Sequence, residues 1–355
     1  MTSRRAFLRG LIAATTIPSV TWADAGAPSY VAAARELDGS YALFGLTADG
    51  QDVFRIPLPD RGHAAAAHPV APEVVAFARR PGRFALVIDC LSGTEKTRLD
   101  SPAGRHFYGH GAFSLDGDTL ATTENDYATG QGIIGLWSRR EGYRRIGELS
   151  SGGIGPHEIK RLPMQDVFVV ANGGLQTHPN TGRETLNPDT MRANLCFIDL
   201  AGSQETQTLE MSLRQNSIRH LDIARDGQVA FGMQWKGAED VHPPLLGMTR
   251  QNEQPVLASA ETEHLQMQDY VGSVSFSGDG KNIGITSPRG GMLQVFDTSG
   301  NYVRGWHRAD LCGVAATSDG FLTTDGGGGV FNVRLDSEQR AAAPRRAWDN
   351  HLVKI

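Results

Sequence analysis

A short unit recurs along this chain and limits what it can fold into. His110-Gly-Ala-Phe leads about fourteen residues later to Thr123-Glu-Asn-Asp126, and His157-Glu-Ile-Lys leads likewise to Ala171-Asn-Gly-Gly174. His220-Leu-Asp-Ile runs to Gln234-Trp235, and Gly272-Ser-Val-Ser-Phe runs to Thr286-Ser-Pro-Arg289. Asp-Gly turn signals stand between several of these ends, at Leu115-Asp-Gly-Asp118, Arg225-Asp-Gly227 and Gly278-Asp-Gly280. Each unit therefore reads as strand, tight turn, strand. A hairpin recurring roughly every 40 to 60 residues matches the period of four-stranded propeller blades.

The rest of the chain agrees with an all-β protein. Its 355 residues would otherwise divide into two or three domains, but a closed propeller uses that length as one unit. Forty-two glycines and the absence of a long amphipathic helical run favour strands and turns. Tyr41-Ala-Leu-Phe-Gly-Leu and Val53-Phe-Arg-Ile read as strands two and three of a blade that lacks its first. Trp348-Asp-Asn-His-Leu-Val-Lys-Ile355 can supply that strand and close the ring. Counting this way gives a single seven-bladed β-propeller. Six or eight blades stay open because blades four and five are irregular in length. Gly62-His-Ala-Ala-Ala-Ala-His-Pro69 reads as a connection into blade two.

The chain opens on Ser3-Arg-Arg-Ala-Phe-Leu-Arg9, continues through the mildly apolar Gly10–Ile17 stretch and reaches Ala23-Asp-Ala25. That order is a twin-arginine pair, an apolar region and a small-x-small cleavage site. The expectation is a signal peptide over residues 1–25, cleaved after Ala25, and a propeller domain over 26–355 working in the periplasm. Twin-arginine export carries folded proteins, so a cofactor could be loaded before transport. A formal net charge of −5 with no basic run beyond the first nine residues leaves no nucleic-acid footprint. No span in the mature part reaches the 18 apolar residues of a membrane helix. Cys90, Cys196 and Cys312 sit among apolar residues, with no Cys-x-x-Cys pair for haem or zinc, and read as buried free thiols.

Propeller geometry then locates the chemistry. The first strand of each blade lines the channel, and residues at first-strand starts and second-strand ends meet at one mouth. This places His110, His157 and His220 as a channel trio with Glu124 and Glu158 as carboxylates, a donor set suited to a transition metal such as iron or copper. His63, His68, His351, Asp126, Asn172, Arg219 and Arg289 are expected around the same mouth, with Arg289 as an anion contact. His178 sits in a long polar excursion, Gln176–Pro188, that could form a lid or a docking loop. The spacing itself is no metal motif, so the assignment rests on convergence alone. Two other readings use the same residues. A lactone hydrolase would employ His157, Glu158, Asn172 and Asp126, with Arg289 or Asn172 stabilising the oxyanion. A protein-docking platform would keep the histidines as structural residues.

Several segments in order resemble one bacterial family, the domain of unknown function 1513 (DUF1513). They include Glu73-Val-Val-Ala-Phe-Ala-Arg-Arg-Pro-Gly82, Gly109-His-Gly-Ala-Phe-Ser114, Thr122-Thr-Glu-Asn-Asp-Tyr127 and Gly153-Ile-Gly-Pro-His-Glu158. Thr177-His-Pro-Asn-Thr-Gly-Arg183, Ser217-Ile-Arg-His-Leu221, Thr286-Ser-Pro-Arg-Gly-Gly291 and Cys312-Gly-Val-Ala315 continue the series. The resemblance implies an exported seven-bladed propeller without an assigned activity. It further implies a setting beside imelysin-like iron-associated proteins and di-haem oxidase-like proteins, and hence iron uptake or redox handling in the periplasm. The stretch Leu213-Arg-Gln-Asn216 is short for the family, which argues against a many-histidine copper cluster.

Overall fold

The structure is a computed structural model that describes residues 20–79, 83–182, 184–258, 262–342 and 345–355. Seven four-stranded antiparallel sheets stand around a central channel, so the chain is an all-β, seven-bladed propeller. Six blades use consecutive strands, the first of them innermost. The inner strands of blades two to seven are Gly62–Ala67, Arg105–Phe113, Pro156–Arg161, Asn216–Ile223, Ser273–Phe276 and Leu311–Ala316. Blade one is composite. Its inner strand is the C-terminal Arg346–Lys354, followed outward by Tyr30–Glu36, Tyr41–Leu46 and Asp52–Leu58. The C-terminal strand thus closes the ring as expected, but the Tyr41 and Val53 segments are the third and fourth strands, not the second and third. The Gly62 segment is likewise the inner strand of blade two itself and not a connection into it.

The turns explain why the hairpins form where they do. In blade three the Asp116 carboxylate accepts the Ser114 hydroxyl at 2.6 Å and the Asp118 N–H at 3.0 Å, while Gly117 takes φ +77°. Blade six repeats the device with Ser277 on Asp279 at 2.6 Å and Gly280 at φ +71°. An Asp that binds its own turn, followed by a residue free to adopt positive φ, is what a tight strand reversal needs.

Apolar side chains fill the spaces between neighbouring blades. Phe77 of blade two meets Phe107, Phe113, Leu120 and Trp137 of blade three. Phe197 of blade four joins Leu221, Phe231 and Met233 of blade five. Each such aromatic contributes about 2–3 kcal/mol by leaving water. Polar staples add direction. Glu73, 4% exposed, accepts Lys96 Nζ at 2.7 Å, Arg139 at 2.8 and 3.0 Å, and the Tyr143 hydroxyl at 2.8 Å, which ties blade two to blade three. Asp349 in the closing strand accepts Arg61 Nε at 2.7 Å and Arg79 Nη1 at 3.0 Å from blade two.

The twin-arginine segment falls on residues 1–19, outside the described residues. Trp22 and Ala25, the described end of the expected 1–25 signal peptide, pack against the apolar layer between blades one and two, and the Trp22 indole donates to the His68 carbonyl at 2.9 Å. Among the described residues no helix is long and apolar enough to cross a membrane. The three cysteines are buried and free.

Candidate metal centre in the propeller channel

The inner strands are irregular at one level. The pairing register slips between Gly62 and Ala65, Phe107 and Gly111, Pro156 and Glu158, and Ile218 and His220. A further slip lies where Ala32 and Ala34 face Leu352 and Trp348. A bulge inserts residues with no partner on the next strand and re-aims their side chains. Here the spans hold or border His63, His110, His157, His220 and His351, and all five imidazoles turn into the channel.

Five consecutive blades therefore donate one histidine each. Around the channel, ring centroids are 4.8 Å apart for His351 and His63, 5.0 Å for His63 and His110, and 5.0 Å for His110 and His157. His157 and His220 follow at 4.9 Å, and His220 returns to His351 at 5.1 Å. The Thr123 hydroxyl lies 3.2 Å from the His110 carbonyl and 3.3 Å from that of His157, fixing two of these backbones together. The many-histidine cluster that the short Leu213 segment argued against is thus assembled from other strands.

Ligand nitrogens of His63, His110 and His157 lie within 4.8 Å of one another, as do those of His110, His220 and His351. The expected trio is accordingly split between two groups that share His110, and His63 and His351 are full members. His110, His220 and His351 are buried, at 4%, 2% and 6% exposure. His110 Nε2, His157 Nδ1 and His351 Nε2 are buried without a hydrogen-bond partner. Buried polar atoms are rarely left so, because an unmade hydrogen bond costs about 1–3 kcal/mol.

Glu158 reaches the cluster from the following position. Its carboxylate accepts the Leu221 N–H at 3.2 Å and faces His220 Nδ1 at 3.3 Å and His110 Nδ1 at 4.0 Å. Burial raises its pKa, against the pull of Lys160. Burial, followed by the other imidazoles, holds His110 and His351 well below the ordinary histidine value, and burial with His220 and Arg219 does the same for His157. His220 is pushed down to about 3 by burial, with Arg219 and Lys160 adding to it. These four imidazoles are therefore neutral at physiological pH, the form that ligates a metal. A carboxylate on Nδ1 of His220 leaves its Nε2 for an ion, the usual support of a metal-bound histidine.

A cavity of about 840 Å³ adjoins the cluster, and His110, Glu158 and His351 line it. Its wall descends past Lys160 and Asp222, joined at 2.7 Å, to Asp226 and Asp279 in the first hairpin turns of blades five and six. The wide opening thus lies on the side of the first-hairpin turns and not at the second-strand ends, where the polar clusters were expected to meet it. Lys160 and Asp222 were not anticipated. A period of two from Glu158 and from His220 would have placed them on the channel face.

Other expected residues have local duties. The Glu124 carboxylate is fully buried in blade three and clamped by Arg145 at 2.6 and 3.1 Å, so it joins an arginine and not the histidines. His68 Nδ1 accepts the Val70 and Ala71 N–H groups at 3.0 and 2.8 Å and shapes the turn after the inner strand of blade two. Asp126 accepts the Ala128 and Thr129 N–H groups, both at 3.2 Å. Asn172 bonds Ser151 and Asn194 and so steadies the connection that leads into His157. His178 Nδ1 accepts the Asn180 N–H at 3.2 Å, and its ring meets the edge of Tyr127. Arg289 lies over the Tyr270 ring at 4.6 Å. Arg219 stands beside the cluster, next to Gly173 and Ser217.

Fold and channel together define a seven-bladed propeller whose axis is lined by histidines on five of its blades. The chain belongs to the family described as "Protein of unknown function (DUF1513)", which matches residues 56–355. None of the curated proteins matches the sequence. Among solved structures, hydrazine synthase from Kuenenia stuttgartiensis is similar at 12% identity and a TM-score of 0.58, over 86% of this chain and 90% of that one. A chain of the mitotic checkpoint complex is similar at 10% identity and 0.57, over 78% of each. At such identities the likeness is one of fold.

Proposed function

We propose that this protein is an exported, periplasmic propeller that binds a transition metal, iron or copper, through its channel histidines. The supporting observation is the convergence of five imidazoles, three of which leave a buried ring nitrogen without a hydrogen-bond partner. A nitrogen-rich set with one carboxylate behind it suits copper and other late first-row ions, and iron where Glu158 also ligates. We assign the role to iron uptake or redox handling, with imelysin-like or di-haem proteins as partners, on the setting that the family resemblance implies. Export follows the twin-arginine route with cleavage after Ala25. The lactone-hydrolase alternative has less behind it, because Asp126 and Asn172 are engaged in turn and loop hydrogen bonds. The test is metal analysis of untagged protein from its native periplasm, beside His110→Ala, which removes the residue common to both groups. Near-stoichiometric metal lost in the variant supports the reading. A metal-free protein, unchanged after anaerobic reconstitution with iron(II) or copper(I), would refute it.

A further inference from the structure

Building on that metal-binding reading, we propose that the channel holds two metal ions in adjacent positions that share His110. Five imidazoles exceed the needs of one ion. A zinc or copper ion takes three or four nitrogens at about 2.0–2.1 Å, so its donors lie within about 4.2 Å of each other. The five histidines form no single group of nitrogens in mutual reach. The nitrogens instead fall into two triangles with sides of at most 4.8 Å. A triangle of that size has its centre 4.8/√3, or about 2.8 Å, from each corner, and a small inward rotation of the rings completes the bonds.

The two positions differ in their surroundings. Position one, His63, His110 and His157, includes two half-buried imidazoles. Position two, His110, His220 and His351, is fully buried, has Glu158 behind His220 and borders the large cavity. An ion in position two is held by a supported, desolvated set and is retained. An ion in position one meets solvent and exchanges. With both ions bound, His110 would supply a nitrogen to each, and the Glu158 carboxylate would offset part of the charge of the pair.

The experiment titrates metal-free protein with copper(II) and, separately, zinc(II), and counts bound ions by mass spectrometry after gel filtration. Wild-type protein is expected to hold two equivalents, one of which leaves rapidly with a chelator. His63→Ala should lose the exchangeable equivalent, His351→Ala the retained one, and His110→Ala both. Circular dichroism and the urea midpoint report folding, and His→Gln replaces any alanine variant that fails to fold. A single equivalent in wild-type protein, or both equivalents lost together in His63→Ala, overturns the two-position arrangement and leaves the metal-site reading standing. No bound ion in wild-type protein overturns both.

Discussion

Replacing Glu73 with glutamine removes one negative charge from the joint between blades two and three. The native carboxylate is held at a pKa of about 2 against an ordinary 4.5; burial opposes ionisation, but Arg139, Lys96 and Tyr143 more than offset it. At about 1.36 kcal/mol per pH unit, that difference corresponds to about 3 kcal/mol of folding stability at neutral pH. Glutamine keeps the shape but leaves two cations without their carboxylate, so Glu73→Gln should cost about 2–4 kcal/mol. The pH dependence carries the argument further. A carboxylate depressed by folding contributes fully above its unfolded value near 4.5, and the contribution fades as pH falls towards about 2. The gap between wild type and variant should therefore narrow by roughly 2 kcal/mol between pH 6 and pH 3. Urea unfolding of both proteins at the two pH values measures it. A gap below about 1 kcal/mol at pH 6, or one that does not change with pH, would refute the assignment.

Further outcomes follow from other parts of the molecule. Burial pushes the Cys90 thiol up to about 12 and the Cys196 thiol up to about 11, and raises that of Cys312 as well. Native protein should therefore react negligibly with a thiol reagent at pH 8 and yield three thiols in denaturant; rapid native labelling would contradict this. Asp349→Asn should cost about 1–3 kcal/mol, read as a lower urea midpoint, because Arg61 and Arg79 lose the carboxylate of the closing strand. An unchanged midpoint would show that those ion pairs contribute little to closure. The intact mass of the secreted protein should place its first residue at Gly26, and any other first residue would contradict cleavage after Ala25.

The first hairpins of the blades were legible because Asp-Gly turns announce them, ahead of the second strands Thr119–Asp126 and Asn282–Ser287. Gly62–Ala67 and Tyr30–Glu36 were not, since runs of alanine carry neither β-branched residues nor alternation, and these strands form through their neighbours. The histidines could be placed in the channel from their positions in the repeat. Their division into two groups could not, because it depends on bulges set by packing across the ring. Glu124 shows the opposite difficulty. A carboxylate near a second-strand end reads equally as a ligand or as an arginine's partner, and only the folded sheet brings Arg145 to it.

The proposed metal centre stands on the convergence of the channel imidazoles. Mass-spectrometric metal content of the untagged protein from its native periplasm, beside His110→Ala prepared identically, tests it most directly. Stoichiometric iron or copper is expected in the wild type and none in a folded variant. Equal metal content in the two proteins, or none in either after reconstitution, would contradict it and leave the histidines as structural residues of the channel.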